Sequence, residues 1–386
     1  MKILFVNDFY SGGGAEIWLH ELIKALNPSE YETWLTTLSK TGDPKHYRLR
    51  SFRRFPLLRR TFFVNVDPLV YLSFKKVFQK VNPDIIHCGN LHWISLAPIE
   101  YAISKGTSCI VTLQDFWPIC LRGVMVKRNL KICDESNWEN CAKCKHKKIG
   151  FALSQFIKRG YKKRRKILLH KRVSIVAGNL FIKNSLIRFM YPPESIRVIY
   201  NGIDVNTFTP ASKPVERKYV LFVGRKEAEK GVFDFLKIAE LYHKYYGSDL
   251  EFILIGTKME AQAVKSVGWI PRKDLLEYYR KAIAFLEVQY TPPGVGLSSM
   301  EAMSCGVPII AYSVPGIEEF LKDEYNAFLV NLNDYNSVVE KLRYLKENEG
   351  TARVIGVNAR KTIEERFSKE RMIRNYERLY VEVTKQ

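Results

Sequence analysis

Short runs of apolar residues alternate along this chain with longer stretches whose apolar positions recur at helical spacing. The first run, KILFVN, ends in the glycine-rich segment SGGGAE and continues into EIWLHELIKAL. Further runs follow at DIIHCG, SCIVTLQD and VSIVAG, and helix-like stretches separate them. Strands that are covered on both faces by crossover helices read as continuous apolar runs. The pattern therefore predicts a parallel α/β sheet in the first half of the chain.

The same order of elements begins again near Tyr219. The segment KYVLFVGRKEAEKGVFDFLKIAELYHKYY reads as strand, basic loop and helix, and EFILIG, AIAFLEV and VPIIAYS read as further strands. The turn-rich segment IYNGIDVNTFTP joins the two halves. Because 386 residues are also too many for one ordinary domain, we predict two Rossmann-like domains. Their expected bounds are residues 1–199 and 200–367, with a C-terminal helix at 368–386 that packs back on the first domain.

The formal net charge of +21 indicates a polyanionic partner, and nucleic acid, anionic lipid and a nucleoside diphosphate all fit. Two basic runs lie in the first half. Residues 141–172 carry thirteen Lys or Arg and no Asp or Glu, and residues 45–60 carry seven basic residues. Their cations are mixed with aromatic and aliphatic residues, as in helices that lie on an anionic membrane surface. Nucleic-acid binding is the competing interpretation, and no helix-turn-helix, RNA-recognition or tandem zinc-finger pattern supports it.

No stretch approaches the roughly 20 continuous apolar residues of a membrane-spanning helix. The N-terminal apolar run is too short for a secretory signal peptide. We therefore expect a cytoplasmic protein, peripheral to the inner face of the cell membrane, whose cysteines are reduced or bind a metal.

Four of the seven cysteines lie in a basic insertion at about residues 116–172 of the first domain. Their spacing is C-x12-C-x7-C-x2-C, and the final CAKC is typical of a tetrahedral zinc site. A structural zinc ion is therefore predicted ahead of an iron–sulfur cluster. Because a second paired CxxC is missing, four unligated thiols are the alternative. The residues are Cys120, Cys133, Cys141 and Cys144.

The second domain contains the clearest candidate chemistry. Arg225 and Lys230 follow a predicted strand, at the edge where open α/β sheets bind ligands. Two cations there would stabilise a diphosphate leaving group as its negative charge grows, without a metal ion. Downstream, a Gly-rich loop opens a helix that carries Glu301. Backbone N–H groups at a helix N-terminus suit phosphate, and a carboxylate one turn inside suits ribose hydroxyls.

Together these segments resemble the retaining glycosyltransferases of family 4, which have the GT-B fold, two Rossmann-like α/β domains facing across a cleft. The resemblance rests on the ordered series SGGGAE, VIYNGIDVNTFTP, VLFVGRKEAEKG, GWIPRKDLLEYYRKA and GLSSMEAMSCGVPIIAYSVPGIEEF. It implies that a hexose moves from a UDP-sugar or GDP-sugar to a glycolipid or saccharide acceptor in polysaccharide biosynthesis. It also implies retention of anomeric configuration and catalysis without a cofactor.

The resemblance assigns roles to individual residues. Arg225 and Lys230 would contact the donor diphosphate, and Glu301 would hydrogen-bond the ribose. Trp269 and Ile270 would lie beside the base. Backbone contacts to the diphosphate and the transferred sugar would come from Gly13, Gly14, Gly296, Leu297, Ser298 and Ser299.

Two positions depart from the family pattern. Pro293 replaces the first carboxylate of the usual Glu-x7-Glu pair, which contacts donor-sugar hydroxyls, while Glu301 keeps the second. Gln114 replaces a common His before Asp115, which the resemblance places among the catalytic residues of the cleft. His92 would line the same cleft, or would be structural, as a lone His beside a strand often is. The missing carboxylate leaves a catalytically impaired GT-B scaffold or partner subunit as an alternative function.

Overall fold

The computed structural model describes residues 1–52, 67–135, 141, 144, 151–212, 216 and 219–385 of the chain. The described backbone forms two compact units. One comprises Met1–Met125, Cys133–Tyr200 and Met372–Gln386, and the other comprises Val126–Ile132 and Asn201–Arg371. Each unit contains a parallel β-sheet, so the predicted α/β class with two sheets is confirmed.

Strands and helices alternate along most of the chain, as the sequence pattern predicts. The strands are β1 (Lys2–Val6), β2 (Glu32–Thr37), β3 (His46–Arg48), β4 (Ile85–Cys88), β5 (Ser108–Leu113), β6 (Val173–Ala177), β7 (Ile196–Val198), β8 (Tyr219–Val223), β9 (Glu251–Ile255), β10 (Lys265–Gly268), β11 (Ala282–Glu287), β12 (Ile309–Tyr312) and β13 (Ala327–Val330). The α-helices are α1 (Gly14–Ala25), α2 (Pro68–Val81), α3 (Ala97–Ser104), α4 (Phe151–Leu168), α5 (Leu180–Arg188), α6 (Val232–Tyr246), α7 (Leu275–Lys281), α8 (Leu297–Ser304), α9 (Tyr335–Glu347), α10 (Glu349–Arg366) and α11 (Lys369–Thr384). Short 3-10 helices occur at Pro193–Ser195, Ala228–Lys230, Arg272–Asp274 and Ile317–Glu319.

In the first unit, β1 lies near the middle of a sheet with the strand order β3-β2-β1-β4-β5-β6-β7. Because successive side chains of a strand point to opposite faces, β1 contributes to two cores. Leu4 and Val6 pack in a cluster that includes buried residues of α2 and α3. Ile3 and Phe5 pack in a second cluster, with buried residues of α1 and α11. The sheet is therefore covered on both faces, which explains the continuous apolar run in the sequence.

A buried polar network connects α11 to this sheet. The Nδ1 atom of His87 lies 2.7 Å from the hydroxyl of Tyr380, and its Nε2 atom lies 2.8 Å from the hydroxyl of Thr112. The Thr112 hydroxyl also lies 3.1 Å from that of Tyr376. Burial lowers the pKa of His87 to about 3, so the ring is neutral at physiological pH. The C-terminal helix is therefore part of the first unit and not a loose tail.

The sheet of the second unit has the strand order β10-β9-β8-β11-β12-β13, and its strands are parallel. Strand β8 pairs with β9 on one side and with β11 on the other, so the direction of strand addition reverses between β8 and β11. Open α/β sheets bind ligands outside the carboxyl ends of the strands at such a switch point. We therefore expect a ligand-binding site at the loops that follow β8 and β11.

The sequence pattern predicts that α4 inserts apolar side chains into a membrane surface. In the described part of this helix, however, side chains of the apolar face pack inside the first unit. Tyr161 and Leu168 are buried, and the buried guanidinium of Arg164 donates a hydrogen bond to the carbonyl oxygen of Trp117. Periodicity in the sequence indicates an apolar face but not what covers it. The exposed face carries Arg159, Lys162, Lys163 and Lys166.

Two further observations concern membranes. Residues 53–60 of the second basic run lie outside the described residues. Among the described helices, none combines the length and the apolar character needed to cross a bilayer.

Candidate active site

The loop after β8 places Lys230 against the end of β11. Gly231, which follows Lys230, has φ +78°, and a Cβ atom added to it would lie 1.9 Å from the carbonyl oxygen of Val288. Only glycine fits this close approach. The backbone N–H of Tyr290 donates to the carbonyl oxygen of Glu229 at 2.9 Å, which joins the same two segments. Gly231, the last residue of GRKEAEKG, is therefore required for the position of Lys230.

The two predicted cations of this loop have different environments. The Nζ atom of Lys230 donates to the Oε1 atom of Gln289 at 2.9 Å. Burial lowers the pKa of Lys230, and the nearby carboxylates, Glu287 first among them, oppose that effect. Arg225 keeps 62% of its side chain exposed and forms an ion pair with Glu227 at 3.4 Å. The loop therefore carries one cation that hydrogen-bonds Gln289 and one largely exposed cation that pairs with Glu227.

A buried carboxylate that the sequence-based prediction missed lies beside the beginning of α8. Glu287 ends β11 and is 7% exposed. Its Oε2 atom accepts from the backbone N–H of Gly296 at 3.4 Å and from the Ser299 hydroxyl. Burial raises the pKa of Glu287 to about 7, while Lys230 and the Gly296 N–H lower it. Lys230 and the predicted phosphate-binding loop therefore share this carboxylate as a neighbour.

The predicted ribose ligand, Glu301, is 3% exposed and accepts hydrogen bonds from Arg272 and Tyr279. Its Oε1 atom accepts from Nε of Arg272 at 2.6 Å, and its Oε2 atom accepts from the Tyr279 hydroxyl at 2.9 Å. The Arg272 guanidinium also lies over the ring of Phe208, at 4.9 Å from its centroid. Glu301 is therefore a fixed, hydrogen-bonded carboxylate one turn inside α8.

The loop between β10 and α7 carries the two residues predicted beside the base. Trp269 is 78% exposed, and Ile270 is half-buried. Both lie within three residues of Arg272, whose ion pair with Glu301 connects this loop to α8. An exposed indole is free of packing on most of its surface and can stack on an aromatic base. The roles of Trp269 and Ile270 stay predictions.

The first unit holds the other predicted residues. Gly13 is the N-cap of α1, with no side-chain hydrogen bond to the first turn, and Gly14 begins the helix. Asp115 accepts from the backbone N–H of Trp117 at 2.7 Å. Burial raises the pKa of Asp115 to about 7, against the effect of that hydrogen bond, and Glu16 raises it further. His92 lies beside Trp93, with 5.9 Å between the ring centroids.

The four predicted zinc ligands are free of disulfide bonds. Cys120 and Cys133 pack half-buried against the core of the first unit. Cys141 is buried, and its thiol lies 4.0 Å from the carbonyl oxygen of Ile119. Burial, followed by the neighbouring thiols of Cys120, Cys133 and Cys144, raises the pKa of Cys141 to about 12. In the part of the chain that the structure describes, no three His, Cys, Asp or Glu side chains have the arrangement of a metal site.

Two family models match the chain one after the other. The model for Glycosyltransferase Family 4 matches residues 12–207, which is just over half of the chain. The model for Glycosyl transferases group 1 matches residues 206–362. The chain belongs to glycosyltransferase family 4. The family membership predicted from the ordered motifs is therefore confirmed.

Curated glycosyltransferases match parts of the chain. An uncharacterized glycosyltransferase of Methanocaldococcus jannaschii is 24% identical over 235 residues, which cover 56% of this chain and 60% of the relative. The capsular polysaccharide biosynthesis glycosyltransferase CapM of Staphylococcus aureus is 24% identical over 200 residues, which cover 47% of this chain and 52% of CapM. The matched part thus spans 60% or less of these two relatives.

A solved structure matches almost the whole chain. HepE of Anabaena in complex with UDP-glucose superimposes with a TM-score of 0.73 at 16% sequence identity. The match covers 99% of this chain and 100% of HepE. Such a low identity shows the fold alone, and that fold is GT-B, as predicted for family 4.

Three residues of this family 4 site could not be assigned from motifs. Arg272 and Tyr279 belong to GWIPRKDLLEYYRKA, but only the folded chain brings them to Glu301. Glu287 is the lone carboxylate in the apolar run AIAFLEV. A charged residue at the end of a buried strand is uncommon and indicates a candidate functional residue.

Arg272→Met should destabilise the second unit, because it removes the ion pair between Arg272 and the buried Glu301 carboxylate. We expect a loss of about 2 kcal/mol in the free energy of unfolding, less than the roughly 3 to 5 kcal/mol of a fully buried pair. The loss is smaller because 24% of the Arg272 side chain is exposed. Urea unfolding followed by circular dichroism measures it.

Two variants control this experiment. Arg272→Met with Glu301→Gln should regain part of the loss, because the uncompensated charge is gone. Lys361→Met removes an exposed ion pair with Glu365 and should change stability by less than about 1 kcal/mol. An Arg272→Met protein as stable as the wild type would contradict the proposed importance of the pair.

Proposed function

We propose that this family 4 protein is a retaining glycosyltransferase that moves a hexose from a nucleoside diphosphate sugar to a glycolipid or saccharide acceptor at a membrane. The observation that carries the proposal lies in the second unit. Lys230 and the beginning of α8 share Glu287 as a neighbour, and Glu301 lies one turn inside the same helix. The UDP-glucose complex of HepE supports a UDP-sugar as the donor. CapM supports an acceptor from polysaccharide biosynthesis.

Catalysis would rest on stabilising the leaving diphosphate. Lys230 and Arg225 would oppose the negative charge that grows as the glycosidic bond breaks. The N-terminus of α8, whose N-cap Gly296 makes no side-chain capping bond, would add backbone N–H groups and the positive end of the helix dipole. Glu301 would hold the ribose. No metal is needed for this step, because the two cations and the helix supply the positive charge.

The acceptor hydroxyl would attack from the face that the diphosphate leaves, through an oxocarbenium-like state that retains configuration. We assign Asp115 to the acceptor side. Its pKa, raised to about 7, suits a group that accepts a proton near neutral pH. His92, Gly13 and Gly14 are assigned to the same region as contacts of the acceptor and the transferred sugar.

We also propose that the protein lies on the inner face of the cell membrane. The exposed face of α4 carries Arg159, Lys162 and Lys166, and the net charge of +21 favours anionic headgroups. Because Tyr161 and Leu168 are buried, the described half of this helix would bind by charge and not by insertion. The acceptor would then be presented at the same surface.

A structural zinc ion is the third part of the proposal. The thiol of Cys141 has Cys120, Cys133 and Cys144 as electrostatic neighbours. Thiolates gathered without a cation repel one another, whereas Zn²⁺ stabilises four of them together. Such a site would fold the insertion and leave no open coordination position for sugar transfer.

A thermal-shift panel of UDP, GDP and their sugar conjugates tests the donor assignment. A UDP-sugar at about 100 times its Kd should add about 2.7 kcal/mol to the free energy of unfolding. Lys230→Ala and Glu301→Ala should lose most of this stabilisation, and Lys226→Ala, at an exposed Lys of the same loop, should keep it. If no nucleotide stabilises the wild type, the catalytically impaired scaffold becomes the better account.

Flotation with vesicles tests the membrane assignment. The wild type should bind vesicles of phosphatidylglycerol and phosphatidylcholine, and not phosphatidylcholine alone. Replacing Arg159, Lys162 and Lys166 by Ala should weaken binding by up to two orders of magnitude, since each cation contributes about 1 kcal/mol. A matched triple replacement of exposed lysines in the second unit is the control: Lys265, Lys281 and Lys361. Tighter binding to duplex DNA than to these vesicles at physiological salt would favour the nucleic-acid interpretation.

Elemental analysis of protein purified without chelators tests the zinc assignment. We expect about one zinc per chain, lost when Cys141 and Cys144 are replaced by Ser, because four thiolates complete the tetrahedral site. Cys305→Ser, which removes a cysteine of the second unit, should leave the zinc content unchanged. Iron in place of zinc, or no metal in the folded wild type, would refute the assignment.

A further inference from the structure

Glu287 lies where the donor site needs positive charge. Its carboxylate is buried at the end of β11 and holds the Gly296 N–H and the Ser299 hydroxyl at the beginning of α8. Ser299 itself is fully buried, whereas Gly296, Leu297 and Ser298 are partly exposed. Glu287 therefore supports the predicted phosphate-binding turn from its inner side.

The charges that face Glu287 come from the loop after β8. Lys230 is the cation that favours its ionised form, and the Gly296 N–H adds a hydrogen bond from α8. Lys230 is in turn surrounded by Glu227, Glu229 and Arg225 of its own loop. Between residues 287 and 301, Glu287 and Glu301 are the two carboxylates of the sequence, since Pro293 supplies none.

A bound diphosphate would change this balance. It would bring at least two negative charges to the other side of the turn that Glu287 supports. It would also compete for Lys230, the cation that favours the ionised form of Glu287. Both changes disfavour a buried carboxylate anion. Because burial already raises the pKa of Glu287 to about 7, a further rise would be felt at neutral pH.

We propose that Glu287 is a positioning residue of the donor site and that it takes up a proton from solvent when a nucleoside diphosphate sugar binds. The protonated carboxyl group keeps an acceptor oxygen for the Ser299 hydroxyl and the Gly296 N–H, so the turn stays in place. The charge of Glu287 then no longer competes with the diphosphate for the attraction of Lys230. This inference rests on the donor site of the proposed function and adds a residue and a proton to it.

Proton uptake by Glu287 would make donor binding depend on pH. Binding that takes up a proton is favoured at low pH and weakens as pH rises through the pKa of the free carboxyl group. We therefore expect the affinity for a UDP-sugar to fall by up to about tenfold per pH unit above about pH 7. The diphosphate diester of a UDP-sugar keeps the same charge over this range, so the ligand does not mask the effect.

Isothermal titration calorimetry with UDP-glucose, and with GDP-mannose in parallel, tests the proposal on the full chain. At each pH, binding is measured in buffers of different ionisation enthalpy, which gives the number of protons taken up. The wild type should take up a fraction of a proton near pH 7, rising towards one at about pH 8. Glu287→Gln should bind without proton uptake and with an affinity that does not change with pH.

Glu227→Gln is the matched control. It removes another carboxylate that lies near Lys230, and the variant should keep the proton uptake. Binding without proton uptake by the wild type would overturn the inference and leave the donor site standing. Proton uptake that persists in Glu287→Gln would overturn it too, since the proton then goes to another group. If neither sugar nucleotide binds, the proposed function itself fails, and the inference fails with it.

Discussion

The contact between Gly231 and the carbonyl oxygen of Val288 determines the geometry of the proposed donor site. It leaves no room for a Cβ atom and holds the loop after β8 against the end of β11. Lys230 thereby hydrogen-bonds Gln289 and lies near enough to Glu287 to favour its ionised form, and Glu287 accepts from the Gly296 N–H at the beginning of α8. Cation, carboxylate and helix N-terminus are thus linked at the switch point of the sheet, where α/β folds bind ligands.

Much of this arrangement could be predicted from the sequence because it depends on local pattern. Buried parallel strands appear as apolar runs, and the motif residues directly follow those runs. The sequence pattern alone therefore places Lys230 on the loop after β8 and Glu301 on α8, where the structure has them. The ordered family motifs added the fold, which the match to HepE supports over nearly the whole chain.

Contacts between residues far apart in sequence could not be predicted in this way. Arg272 forms an ion pair with Glu301, and neither residue carries a local signal for the other. The apolar side of α4 was expected to meet a membrane, but Tyr161 and Leu168 are buried in the first unit, because periodicity does not reveal what covers a face. Glu287 breaks the apolar pattern of β11, and such an exception is what a functional site often requires.

The most direct test of the account is a crystal structure of the chain with UDP bound. We expect the diphosphate oxygens to lie within about 3.5 Å of Nζ of Lys230 and of the backbone N–H groups at the beginning of α8. The ribose should contact Glu301. Nucleotide bound at another place, or a diphosphate held without Lys230 and α8, would contradict the central claim.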